Sequence, residues 1–171
     1  MGTFIGPAVR NGLSQRAPAV LLAASLGALA AAYTAQYGFG LDPCVLCLYQ
    51  RVPYAVVVLL ASGAMVLRHD LWRRLAVGLS GAALLAGAGI AAYHVGVEQH
   101  WWAGTAACGG VLTDVLTVDQ LRAQLAAKPP ASCDRPAWTL FGVSMAGYNG
   151  VVSLALAVVA FAAAGTRQAA R

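Results

Sequence analysis

Two cysteines three apart, in Cys44-Val-Leu-Cys47, have the spacing best suited to covalent chemistry in this chain. Thiols at that separation can close a disulfide and open it again, a couple of two electrons and two protons. Asp42 is a good N-cap and Pro43 a good first helical residue, so the pair is expected on the first turns of a helix. There the positive end of the helix dipole favours thiolate over thiol. Arg51 follows Cys47 by four residues on the same helical face, and its guanidinium would favour a thiolate at Cys47 further.

Cys108 and Cys133 complete an even set of four. Four thiolates could hold zinc, but Cys108 and Cys133 lack the short spacing of such sites, and no metal is expected. Taken alone, those two could form a purely structural disulfide. A disulfide inside Cys44–Cys47 closes too small a loop to restrain the unfolded chain much. Two pairs together read as a redox relay.

A relay needs a terminal acceptor. The chain has no haem-attachment CxxCH, no glycine-rich dinucleotide fingerprint and too few cysteines to hold a cluster besides a relay. An acceptor dissolved in lipid, a quinone, fits what remains. Arg51 can hydrogen-bond a quinone oxygen and stabilise developing charge there; its alternative reading is a side chain snorkelling to the interface. His94, with Glu98 one turn on, can supply or position a proton, and reads equally well as a solvated histidine at a helix end. Trp101, Trp102 and Trp138 read as an interfacial aromatic belt.

The elements that must position these residues are membrane spans. Of 171 residues, 60% are hydrophobic and 10% charged, far fewer charges than a soluble domain carries. Uncharged runs cover Ala17 to Leu41, Leu75 to Val97 and Pro136 to Thr166, and Val45 to Leu67 carries only Arg51. Each is long enough to cross a bilayer. The fold class is an all-α membrane protein, one domain over 1–171: a four-transmembrane-helix bundle. Helices are expected at about 17–37, 45–67, 75–95 and 144–164, with one short and one long extracytoplasmic loop. In the long loop, 98–138, Thr117-Val-Asp-Gln120 has capping-box spacing and opens a short amphipathic helix over 118–127. Gly109-Gly110 and Pro129-Pro130 flank that helix as hinges. Gly142, Ala146 and Gly150 form a small-residue stripe for close packing, with Asn149 able to hydrogen-bond across helices.

The net charge of +5 is a topology signal, and no nucleic-acid partner follows from it. Arg10, Arg16, Arg68, Arg73, Arg74, Arg167 and Arg171 share one side with Asp70 alone, which puts both termini in the cytoplasm and all four cysteines outside. A cleaved signal peptide at the N-terminus is the weaker alternative, because the apolar run is longer than a usual signal core.

Three runs in order, Cys44-Val-Leu-Cys47-Leu-Tyr-Gln-Arg51, Tyr93-His94-Val-Gly-Val-Glu98 and Trp138-Thr-Leu-Phe-Gly142-Val-Ser-Met-Ala-Gly-Tyr-Asn149, with Cys108 and Cys133, resemble the DsbB family of disulfide bond formation proteins. The resemblance implies a bundle in the bacterial inner membrane that reoxidises a periplasmic DsbA-like thioredoxin-fold protein and passes the electrons to ubiquinone or menaquinone. It pairs Cys108 with Cys133 as the disulfide exchanging with DsbA, Cys108 taking the mixed disulfide. It pairs Cys44 with Cys47, with Cys44 toward the loop and Cys47 toward the quinone. Arg51 matches the family's quinone-site arginine and His94 a position near the quinone. Gln50 stands where some members carry an acid. A reductase like the vitamin K epoxide reductase family, and a non-enzymatic bundle with structural disulfides, are the alternatives; the motif order and Gln-Arg51 after the CxxC favour DsbB.

Overall fold

The computed structural model describes residues 7–108, 117–119, 122 and 131–165. Helix α1 (Pro7–Tyr33) runs on through a π-helical turn, Thr34–Gly38. Helix α2 covers Val45–Val66, α3 Asp70–Glu98 and α4 Met145–Ala164. Gln15–Gly38 and the whole of α2, α3 and α4 are long and apolar enough to cross a membrane. The chain is therefore an all-α, multi-pass membrane bundle, as its composition predicts.

The burial pattern suits lipid. Leu59, Val66, Val151 and Val158 point outward, while much of the interior is small: Ala61, Ala64, Ala91, Ala157, Ala160 and Ala163 with Ser80 and Ser153. Lipid tails are as apolar as leucine, so helices associate in a membrane through close backbone approach and hydrogen bonds. Helix α3 is the central element, packed against both α2 and α4. A Cβ built on Gly81 would lie 3.1 Å from the Ala160 side chain of α4, and one on Gly87 3.1 Å from Pro53 of α2.

Several boundaries differ from the sequence expectation. Helix α1 begins at Pro7, ten residues before Ala17. Helix α3 starts at Asp70, so Arg73 and Arg74 stand inside it. Their charges end the uncharged run without ending the helix, because each finds a carbonyl. The guanidinium of Arg73 donates to the Gln15 carbonyl at 3.0 Å, and Arg74 Nε to the Ala164 carbonyl at the end of α4 at 2.9 Å. A cation there also meets the negative end of the α4 dipole.

Before α4 the chain forms a two-strand hairpin absent from the sequence reading, β1 (Thr139–Leu140) antiparallel to β2 (Val143–Ser144). Its turn residues, Phe141 and Gly142, have φ of 50° and 78°, the left-handed pair that a tight two-residue hairpin needs. Gly142 thus belongs to the turn and not to the helical stripe; Gly150 does face α3, at Ala91. Ser144 caps α4, its Oγ accepting from the Gly147 N–H at 3.2 Å. Of the expected helix over 118–127, Val118, Asp119 and Arg122 are helical; its other residues, and both hinges, lie outside the described residues.

Candidate active site

Cys44 itself, and not Asp42, is the N-cap of α2. Its backbone is extended (φ −70°, ψ 170°), and its sulfur accepts the Cys47 N–H at 3.4 Å. The first turn of a helix leaves N–H groups without intrahelical partners, and here a reactive sulfur satisfies one of them. Cys44 and Cys47 are thiols with their sulfurs 3.2 Å apart. His94 Nε2 lies 3.5 Å from Cys44 Sγ. The His94 Nδ1 faces the side-chain amide nitrogen of Gln50 at 2.8 Å; with that amide donating, the proton of a neutral ring sits on Nε2 and points at Cys44.

Three donors thus converge on one sulfur. The hydrogen bond from the Cys47 thiol acts most strongly. Burial opposes it, and the bonds from His94 and the Cys47 N–H add to it, bringing the Cys44 thiol down to about 4. The sulfur that carries charge is therefore Cys44, where the sequence placed it at Cys47 beside Arg51. Arg51 reaches toward α1 instead. It donates to Gln36 Oε1 at 2.6 Å, and its guanidinium lies 4.9 Å from the centre of the Tyr33 ring, an approach suited to cation–π attraction.

Cys108 and Cys133 form a disulfide with their Cα atoms 5.1 Å apart. The bridge is buried and packs in one cluster with Cys44, Leu46 and Val97. Gly104 makes room for it, since a Cβ there would come 2.8 Å from the Cys108 Cβ. Trp102 holds the incoming chain against α3, stacking on Tyr93 with ring centroids 5.9 Å apart and donating to the Tyr93 carbonyl at 3.0 Å. Its ring lies directly over Gly96, where any Cβ would overlap it. Trp102 thus serves the loop's path, beyond the interfacial role expected of it. A cleft of about 460 Å³ opens beside Cys108, with Val97, His100, Trp102 and Thr105 in its wall; Cys133 is not among the lining residues.

On the other side of Cys47 is a cavity of about 350 Å³ between α1, the start of α2 and α4. Alanines of α1, with Leu29, make much of its apolar wall, and Cys47, Gln50, Arg51, Tyr54 and Asn149, with Asp42 and Tyr148, supply its polar groups. An apolar space with a few convergent polar groups is what a small hydrophobic cofactor with polar oxygens requires. His94, expected near the quinone, is not among the lining residues. It is buried behind Gln50, at 2% exposure, so the solvated reading does not hold.

Gln50 joins the two sides. Its Oε1 accepts from Asn149 Nδ2 at 2.5 Å, Tyr54 OH donates to Asn149 Oδ1 at 2.6 Å, and Tyr54 OH and Ser153 Oγ lie 2.8 Å apart. Asn149 bonds across helices as the sequence suggested. Tyr54 and Ser153 were not singled out, and Gln50 was noted only as standing where some family members carry an acid, with no role given to it. The available signal was spacing: Cys47, Gln50, Arg51 and Tyr54 fall at i, i+3, i+4 and i+7 on one face of α2.

Residues 14–163 match the family model described as Disulfide bond formation protein DsbB. An uncharacterized protein of Rickettsia prowazekii (strain Madrid E) is 28% identical over 141 residues, 81% of either chain. Proteins named Disulfide bond formation protein B from Herminiimonas arsenicoxydans and Neisseria meningitidis (serogroup A) are each 35% identical. Those two alignments cover 50% and 52% of this chain and 52% and 53% of the relatives, so the chain matches about half the length of each. No solved structure matches the chain. The family match takes in all four cysteines and all four spans, and on it this chain belongs to the DsbB family of disulfide bond formation proteins.

Proposed function

We infer that the chain oxidises an extracytoplasmic dithiol protein, a DsbA-like thioredoxin-fold partner, and delivers the electrons to a quinone in a bacterial inner membrane. The observation that carries this reading is the serial arrangement of its parts. Cys44 packs with the Cys108–Cys133 disulfide, while Cys47, 3.2 Å away, lines the cavity. The arginine distribution supports cytoplasmic termini and periplasmic cysteines.

The chemistry follows from exchange rules. A partner thiolate attacks Cys108, the sulfur on the open cleft, and Cys133 leaves as a thiolate. The partner's second thiol releases its disulfide and leaves the loop as a dithiol. A loop thiolate then attacks Cys44 of an oxidised Cys44–Cys47 pair, and Cys47 leaves toward the cavity; the second loop thiolate attacks the loop sulfur of that mixed disulfide, which closes Cys108–Cys133 again and releases Cys44 as a thiolate. His94 and the Cys47 N–H hold charge on Cys44 when the central pair is reduced. Arg51, Gln50 and Tyr54 are the residues that would hold a quinone head group, and the alanines of α1 exclude water from it. When bound, the quinone, ubiquinone or menaquinone, supplies the acceptor for two electrons and two protons.

The test is turnover by the full chain in detergent, given a reduced thioredoxin-fold protein and a soluble ubiquinone, followed by quinone absorbance. Cys47→Ser abolishes turnover; activity surviving in that variant sinks the relay. Arg51→His raises the KM for quinone by roughly tenfold, as loss of one charged hydrogen bond implies, and leaves the KM for the dithiol protein nearly unchanged. An equal effect on both contradicts the cavity assignment.

A further inference from the structure

Glu98 is the buried group that the relay does not use. It closes α3 at 8% exposure; its Oε1 lies 3.8 Å from His94 Nε2, and its Oε2 is buried without a hydrogen-bond partner among the described residues. A carboxylate oxygen left unpaired in the interior is costly unless something cationic meets it. What stands nearest is a soft donor set: the Cys44 and Cys47 sulfurs and His94 Nε2 all lie within 4.8 Å of one another.

We propose that the reduced Cys44–Cys47 pair and His94, with Glu98 beside them, form a binding site for a soft divalent cation, Zn²⁺ or Cd²⁺, that holds the central pair in its dithiolate form.

The spacing suits the ion. Bond lengths of about 2.3 Å to sulfur and 2.0–2.1 Å to nitrogen give a tetrahedron with edges of roughly 3.8 Å between sulfurs and 3.5 Å from sulfur to nitrogen. The observed separations are 3.2 Å and 3.5 Å; the Glu98 carboxylate, 3.8 Å from His94 Nε2, lies outside the set of three mutually close donors, where it can neutralise the ion's charge and complete its shell through a water. Thiolate, imidazole and carboxylate are together a donor set for zinc and its heavier congener.

A metal on Nε2 needs the imidazole proton on Nδ1 and an acceptor facing it. The amide pair provides one. If the amide groups of Gln50 and Asn149 both turn over, Gln50 Oε1 accepts from Nδ1–H, Gln50 Nε2 donates to Asn149, and Asn149 donates to Tyr54 OH, which donates to Ser153 Oγ. The heavy atoms keep their places. The same network thus serves the free and the metal-bound ring. Cys44 is already charged at neutral pH, so binding releases to solvent the one thiol proton that remains, on Cys47, as two metal–sulfur bonds form, and no electron moves. While the ion stays, neither sulfur can attack or close a disulfide, so the cation acts as a brake on the central pair. The site uses the thiols of the proposed relay but neither the quinone nor the partner protein.

The test therefore omits both. Full-length protein in detergent is reduced anaerobically and titrated with Cd²⁺, reading the ultraviolet thiolate-to-cadmium band together with iodoacetamide alkylation mapped to each cysteine by peptide mass spectrometry. Mapping separates the central thiols from those of the loop. The expected result is strong protection of Cys44 and Cys47 at one equivalent, and no central site in protein whose Cys44–Cys47 disulfide is closed. His94→Gln and Glu98→Gln each weaken Cd²⁺ binding by roughly tenfold or more, the loss typical even of outer-shell partners. Unprotected alkylation of Cys44 and Cys47, or unchanged affinity in either variant, overturns the proposal. A failed relay with intact Cd²⁺ binding, or the reverse, tells the two readings apart.

Discussion

At the scale of single residues, the central feature is the division of labour between two sulfurs three residues apart. Cys44 gathers donors from the Cys47 thiol, His94 and the Cys47 N–H, and Cys47 looks into the cavity. With the Cys44 thiol lowered from 9.0 to about 4, this group is charged at every pH well above 4 and becomes neutral as pH falls through that value. Alkylation of Cys44 in the reduced chain, mapped by mass spectrometry, therefore proceeds at a nearly constant rate from neutral pH down to about 5 and drops below that. Cys47→Ala removes the largest stabilising bond and moves the drop to higher pH. A wild-type profile falling near the ordinary thiol range contradicts the three-donor account. Charge on Cys44 is also a modest advantage for exchange, since a low-pKa thiolate is abundant but individually less nucleophilic.

At the scale of elements, the helix α2 start and the α3 face decide whether those donors meet. Gly87 of α3 presses against Pro53 of α2, with Ser153 Oγ 3.7 Å from where a Cβ would sit. Gly87→Val wedges the helices apart next to the Tyr54–Ser153 bond and costs about 1–3 kcal/mol, the usual penalty of overpacking. The measurement is a lower Tm in detergent, and an unchanged Tm refutes the close approach. Much of this level was legible in the sequence. Span number, the position of the CxxC at the start of α2 and the cross-helix role of Asn149 follow from hydropathy and local spacing, which depend on short stretches of chain. The rest depends on tertiary contacts. Asp42 and Pro43 carry good helix-start chemistry, yet the extended backbone at Cys44 gives its own sulfur the capping position. His94 reads equally well as a solvated end because nothing local reveals that Gln50 and Cys44 lie against it in the interior. The first turns of α3 were missed because Arg73 and Arg74 look like a loop until their carbonyl partners on α1 and α4 are seen. The hairpin at 139–144 rests on two-residue strands, too short for any alternation to register.

At the scale of the whole molecule, the bundle holds apart the two reactions of the proposed relay, which must not short-circuit. A buried disulfide faces an open cleft on one side, an apolar cavity lies on the other, and the only sulfurs between them are Cys44 and Cys47 among the described residues. The arginines at Arg73 and Arg74, joining α3 to α1 and α4, brace the opposite end of the bundle, consistent with the membrane orientation proposed above. The central claim is that the central pair hands its electrons directly to a quinone. It is tested most directly by a single turnover of a Cys108→Ser, Cys133→Ser chain, in which Cys44 and Cys47 are the only thiols left. Reduced anaerobically and mixed with one equivalent of ubiquinone, this chain is predicted to lose both thiols to a Cys44–Cys47 disulfide while quinol appears one for one. Persistence of both thiols beside unreduced quinone would contradict it.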